Sequence, residues 1–241
     1  MRDNDPTIDN RQTTVARTRI KVCGIKTVEH AVAAADAGAD AVGLNFVRAS
    51  PRFVDLATAA KVIAALPAFV EPVGLFADAP AEDVRAAAEG LGLRAVQLHG
   101  REGPGYASQL VGLRVVKAFA FEGARLRERV EPWRQSAGGL AAVLIDAPPP
   151  TVSAELRGGS GQTFDWAALA SAVADGALAG LPPVILAGGL TAENVGEAIA
   201  AVRPYAVDVS SGVESSRGVK DAGKIAAFCA AVRAADGVRR R

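Results

Sequence analysis

Cys23 closes the apolar run Arg19-Ile-Lys-Val-Cys and is followed at once by Gly24. A thiol at the carboxyl end of a strand is a proton-transfer or nucleophile candidate, because its surroundings can draw its pKa toward neutrality. A cysteine is equally at home as a buried small hydrophobe. Asp146 closes a second run, Val143-Leu-Ile-Asp. Walled by apolar side chains, that carboxyl would keep its proton near neutral pH and could act as a general acid; an aspartate there also suits the cap of the next turn. His99 ends Ala95-Val-Gln-Leu-His as a proton carrier, a ligand donor or a locally satisfied loop residue. Arg52, after Ser50-Pro51, could grip a carboxylate or phosphate with two N–H groups, or lie solvated.

Two glycine-containing segments complete the set. Gly188-Gly189 and Ser210-Ser211-Gly212-Val-Glu offer close backbone approach, N–H groups and hydroxyls, which suits a phosphate and also suits tight turns. A third, Gly158-Gly-Ser-Gly-Gln-Thr-Phe-Asp-Trp, could cover the same ligand or bind it.

These residues share a context. Short apolar or β-branched runs at 20–23, 41–46, 72–76, 95–99, 115–118, 142–146, 184–187 and 206–210 alternate with Ala-rich helical stretches. Such alternation implies βαβ units and a parallel sheet buried on both faces. Helix starts are expected at Thr27, beside Asp55 and Thr58, and at Thr191; Gly38, Gly90 and Gly92 stand where helices should end. Eight beats predict a single (β/α)8 barrel over residues 19–236, whose chemistry sits at the carboxyl ends of its strands and whose phosphate loops follow strands seven and eight. A doubly wound open sheet is the runner-up, but the first turn, Cys23-Gly-Ile-Lys, lacks a G-x-G-x-x-G pattern. Residues 1–18 read as a disordered lead-in, neither signal peptide nor anchor, and 237–241 as a basic tail.

With 27 basic and 26 acidic residues, the net charge of +1 provides no general footprint for nucleic acid or an anionic membrane. A small-molecule partner is expected. Cys23 and Cys229, the only cysteines, fit neither a disulfide framework nor a metal spacing, which implies a reducing, cytoplasmic setting. Cys229 falls in the Ala-rich closing helix and reads as packed core. Apolar helix faces allow a monomer or a homodimer.

Several motifs occur in an order that resembles the phosphoribosylanthranilate isomerase family of tryptophan biosynthesis, from residue 20 to about 228. They are Lys21-Val-Cys-Gly-Ile, Gly43-Leu-Asn-Phe with Ser50-Pro-Arg, Val73-Gly-Leu-Phe, Val96-Gln-Leu-His-Gly and Leu144-Ile-Asp. The glycine stretch from Gly158, Leu186-Ala-Gly-Gly-Leu with Asn194-Val, and Val207-Asp-Val-Ser-Ser-Gly-Val-Glu follow. The resemblance implies a stand-alone barrel without metal or organic cofactor. It also implies an Amadori rearrangement of N-(5-phosphoribosyl)anthranilate to 1-(2-carboxyphenylamino)-1-deoxyribulose 5-phosphate. By the same resemblance Cys23 is the general base, Asp146 the general acid and Arg52 the contact for the anthranilate carboxylate. Backbone groups around Gly188, Gly189, Ser211 and Gly212 would hold the phosphate; His99 matches its motif as a substrate-side residue without a defined role. Rival readings are another phosphosugar barrel, such as a ribulose-phosphate epimerase or an indole-glycerol-phosphate synthase, and a phosphosugar-binding protein without turnover. An epimerase of that kind would want a metal-binding histidine set, and only His30 and His99 are present.

Overall fold

A computed structural model describes residues 17–134, 140–148 and 163–239 of the chain. The glycine stretch at 158–162 lies outside the described residues. Eight parallel strands, β1 (Arg19–Cys23), β2 (Ala41–Asn45), β3 (Glu71–Phe76), β4 (Ala95–Leu98), β5 (Arg114–Ala120), β6 (Leu140–Asp146), β7 (Val184–Leu186) and β8 (Ala206–Val209), close in sequence order into a barrel. β1 pairs with both β2 and β8, setting Cys23 beside Gly43 and Lys21 beside Asp208. That closure excludes the open doubly wound sheet.

Helices α1 (Val28–Asp36), α2 (Leu56–Ala64), α3 (Ala81–Leu91), α4 (Pro104–Ala107), α5 (Arg125–Arg134), α6 (Trp166–Ala174), α7 (Val195–Val202) and α8 (Ala222–Arg239) follow the strands in turn. Between β8 and α8 lie a 3-10 turn at Ser211–Val213 and a small hairpin, β9 (Glu214–Ser216) and β10 (Val219–Lys220). No helix among the described residues is long and apolar enough to cross a membrane.

Alternation along each strand sorts its side chains onto two faces. Val22, Leu44, Val143 and Val207 pack outward into the main core with helix residues such as Val62 and Phe228. Ala142, Leu144, Ile185, Ala187 and Ala206 form a separate cluster inside the barrel. Lys21 and Asp208, partners in the β1–β8 register, are both buried on the inner face as well.

Thr27 and Asp55 cap α1 and α2, accepting from the backbone N–H of His30 and Thr58. The expected start at Thr191 falls three residues early. Asn194 is the cap of α7, and its amide accepts from Thr191 N and donates to Gly189 O, tying the helix start to the turn after β7. Gly38 and Gly92 follow helix ends as expected, whereas Gly90 lies within α3. Both expected outer boundaries also move. Thr18 is fully buried and donates through its N–H and its hydroxyl to Asp236, each at 2.7 Å, and α8 continues through Arg239 instead of ending before 237.

Candidate active site

Cys23 ends β1 with its side chain buried. A Cβ on the neighbouring Gly43 would stand 2.7 Å from the sulfur, so glycine is what makes room for the thiol. Lys21, two residues earlier on the same face, gives Asp208 a hydrogen bond at 2.9 Å, with both groups buried. The Lys21 ammonium also favours the Cys23 thiolate electrostatically. Burial pushes the Cys23 thiol above its usual value, and Lys21 and Lys220 oppose that push from two sides while Asp208 reinforces it. Burial also works against the Lys21 ammonium, but the attraction of Asp208 and Cys23 outweighs it and raises its pKa.

The loop after β2 delivers Arg52. Asn45 donates to Ser50 Oγ at 3.1 Å and accepts from Val47 N at 2.8 Å, and Ser50 Oγ in turn accepts from Arg52 N at 3.1 Å. The aliphatic part of Arg52 lies across Gly24, where a Cβ would come within 2.6 Å of its Cδ. The guanidinium is not solvated. It is buried against Glu214 through Nε at 2.7 Å and Nη2 at 2.8 Å, a bidentate pair. Lys220 also donates to Glu214, at 2.9 Å, and to Ser210 O, while Ser210 Oγ donates to Cys23 O. Burial disfavours the Glu214 carboxylate, yet its bonds from Arg52 and Lys220 prevail and hold it below the usual carboxylate range.

Across the mouth, Asp146 ends β6 and faces His99, with His99 Nε2 and Asp146 Oδ2 at 3.5 Å. Gln97 Nε2 stands 3.0 Å from His99 Nδ1, on the side of the ring away from Asp146. The other carboxylate oxygen accepts from Ala147 N at 2.8 Å. Apolar walls were the sequence-based expectation, but the Asp146 side chain is 18% exposed and bordered by these polar groups. Asp208 feels both Asp146 and His99, so β1, β4, β6 and β8 contribute to one electrostatic cluster.

The two glycine loops meet beside this cluster. Gly188 has a φ of +89° and stands so close to the chain after β6 that a Cβ would lie 2.5 Å from Ala147 N; Gly212 abuts the backbone carbonyl of Leu190. Gly188, Gly189, Ser211 and Gly212 thus lie at the carboxyl ends of β7 and β8, on the same rim as Cys23, Asp146, His99 and Arg52.

The match to known proteins follows the same span. The family described as N-(5'phosphoribosyl)anthranilate (PRA) isomerase matches residues 20–231. The chain belongs to this family. An N-(5'-phosphoribosyl)anthranilate isomerase of Acidithiobacillus ferrooxidans is 48% identical over 216 residues, covering 89% of this chain and 97% of the relative. The crystal structure of the Thermotoga maritima phosphoribosyl anthranilate isomerase superimposes with a TM-score of 0.78 at 35% identity, covering 90% of this chain and 99% of the other. Another phosphoribosyl anthranilate isomerase structure, at TM-score 0.75, 33% identity and the same coverages, holds reduced 1-(o-carboxyphenylamino)-1-deoxyribulose 5-phosphate.

Within this PRA isomerase barrel, four residues were not singled out from sequence: Asp208, Gln97, Glu214 and Lys220. A signal existed for the first. Lys21 and Asp208 interrupt strands otherwise apolar, and a charge buried on such a strand must find a partner. Glu214 and Lys220 lie on the two strands of the hairpin after β8, and no local pattern pairs them with Arg52.

Proposed function

We propose that this chain converts N-(5-phosphoribosyl)anthranilate into 1-(2-carboxyphenylamino)-1-deoxyribulose 5-phosphate, with Asp146 as general acid and Cys23 as general base. Family membership supports the reaction. The placement of Cys23 and Asp146 at the ends of β1 and β6, facing one mouth, is the observation that supports the two roles.

Asp146 gives a proton to the furanose ring oxygen, the C1–O bond breaks, and the anthranilate nitrogen lone pair forms the C1=N Schiff base. The Cys23 thiolate then takes the proton from the second sugar carbon, whose electrons form the enolamine. Loss of the enol proton and protonation at C1 yield the ketose, so substrate and product differ only in where protons and double bonds lie. After its proton leaves, the Asp146 carboxylate faces His99 Nε2 and accepts from the Ala147 N–H. The Arg52 guanidinium, fixed by Glu214, presents its remaining N–H groups to the substrate carboxylate. Gly188, Gly189, Ser211 and Gly212 supply the phosphate contacts, as barrels do after strands seven and eight.

Every residue in this scheme comes from one chain, so a monomer or each half of a homodimer is complete. A working thiolate needs a reducing compartment, which agrees with a cytoplasmic setting. Freshly prepared phosphoribosylanthranilate should lose its anthranilate fluorescence when the protein is added; binding without that loss would replace the isomerase with a phosphosugar-binding protein.

A further inference from the structure

The scheme above requires a thiolate in a place where burial opposes one. We propose that Lys21 is the positioning residue that sets the Cys23 proton: its ammonium, anchored at 2.9 Å on Asp208, is the cation against which the thiolate forms. The proposal rests on the base role given to Cys23 under the proposed function.

Three features of the geometry carry it. Lys21 and Cys23 occupy successive inward positions on β1, and both are buried in the barrel interior. Asp208 sits beside Lys21 in the β1–β8 register and fixes the long side chain, removing the rotamer freedom that would let the ammonium drift away. Gly43, beside Cys23 in the β1–β2 register, leaves the sulfur its room, since a Cβ there would come within 2.7 Å of it.

The other charged groups around the thiol act differently. Lys220, on the β10 hairpin, also lowers the cost of a thiolate, but its hydrogen bonds go to Ser210 and Glu214. Arg52 is taken up by Glu214. Asp146 and His99 act on the site through Asp208, in opposite senses. Asp208 itself has two opposed effects: it holds Lys21 in place, and its own negative charge disfavours the thiolate. Lys21 and Asp208 substitutions should therefore move the Cys23 titration in opposite directions, an outcome that a merely structural ion pair would not produce.

The test is the ultraviolet absorbance of the thiolate, followed against pH as a difference from Cys23→Ala in each background, alongside the pH dependence of kcat/KM. Lys21→Met should move the Cys23 titration upward by roughly one pH unit or more and carry the rising limb of kcat/KM with it. Lys21→Arg should restore most of the wild-type profile. Asp208→Asn should move the titration downward. If Lys21→Met does not fold, Lys21→Arg and Asp208→Asn decide the question, since a profile unmoved or raised in Asp208→Asn overturns the proposal. An unshifted thiol in folded Lys21→Met overturns it too. A shifted thiol in a protein that does not isomerise phosphoribosylanthranilate supports the Lys21 assignment and removes the proposed function instead.

Discussion

Lys21 and Lys117 are both buried on barrel strands and both pair with a carboxylate, at 2.9 and 2.8 Å. Their surroundings differ. Lys117 lies on the outer face of β5, between Val116 and Ala118 that face inward, and its ammonium is 5.9 Å from the Trp133 ring of α5. It donates to Glu102, to Gly100 O at 2.7 Å and to Leu98 O at 3.4 Å, so its N–H groups are consumed by the end of β4 and the loop beyond. Glu102 in turn accepts from Asp78 N and Gly100 N. Lys21, on the inner face, gives one hydrogen bond, to Asp208, and shares that face with a thiol that must change its protonation. An ammonium whose hydrogens are all committed to backbone and carboxylate is a staple for a loop. One that keeps a hydrogen for a titrating neighbour can take part in chemistry.

On that distinction, the largest losses of activity lie inside the barrel and the largest losses of stability outside it. Cys23→Ala and Asp146→Asn should each lower kcat by about 10²–10⁴-fold, the usual worth of a positioned acid or base. Affinity for a product analogue should stay within about tenfold, because neither group is the main anion contact. Steady-state rates on purified variants measure this; a Cys23→Ala enzyme with near-normal turnover would take the base role away from the thiol.

Lys117→Met should cost about 3–5 kcal/mol of unfolding free energy in urea titrations, since it leaves the Glu102 carboxylate buried without its cation. The double variant Lys117→Met/Glu102→Gln should recover much of it. Folded Lys117→Met should keep kcat/KM within about twofold of wild type. A fall in kcat/KM with an unchanged urea midpoint would break the comparison by making Lys117 part of the site.

The two lysines also mark how far the sequence could be read. All eight strands were legible because each is a short apolar run between helical stretches, and their closure followed from their number. The polar residues that end strands, Cys23 and Asp146 among them, were legible for the same reason. What surrounds them was not. Strand alternation puts Lys21 and Cys23 on one face, but the position of the ammonium depends on Asp208, 187 positions away. Arg52 was placed at the mouth without Glu214, 162 positions away, because pairing across a closed barrel depends on register and hairpin geometry that no local pattern encodes. The Asp146 environment was misjudged in kind, since alternation marks an inward position but not which side chains meet it there.

A smaller effect sharpens the inner side of the comparison. Gly43→Ala brings a methyl group to 2.7 Å from Cys23 Sγ and 3.0 Å from Cys23 Cα, so the strand pair or the sulfur must shift. Overpacking of this kind costs about 1–3 kcal/mol. Because the displaced atom is the proposed base, kcat/KM should fall by about tenfold or more, beyond what the stability change explains. Crystal structures or thiol titrations of the variant would locate the shift; full activity would mean that the sulfur position is not critical.

The smallest predicted effect separates the two lysines by sign. Burial lowers the pKa of Lys117. For Lys21, burial is outweighed by Asp208 and Cys23, and its pKa is raised. Between the lowered Lys117 value and the unfolded value of about 10.4, the unfolded chain binds more protons at this residue than the folded one, so rising pH adds stability there. Above about 10.4 the folded state holds the Lys21 proton longer than the unfolded chain, so rising pH removes the stability of that pair as its own folded pKa is passed. Urea unfolding from mildly to strongly alkaline pH, in a Cys23→Ala background that removes the ionising thiol, reads the Lys117 slope. Relative to that background, Lys117→Met/Glu102→Gln should lose stability more steeply with pH, by no more than about 1.4 kcal/mol per pH unit for one proton. A curve parallel to that of the background would mean that the folded and unfolded chains hold the Lys117 proton alike.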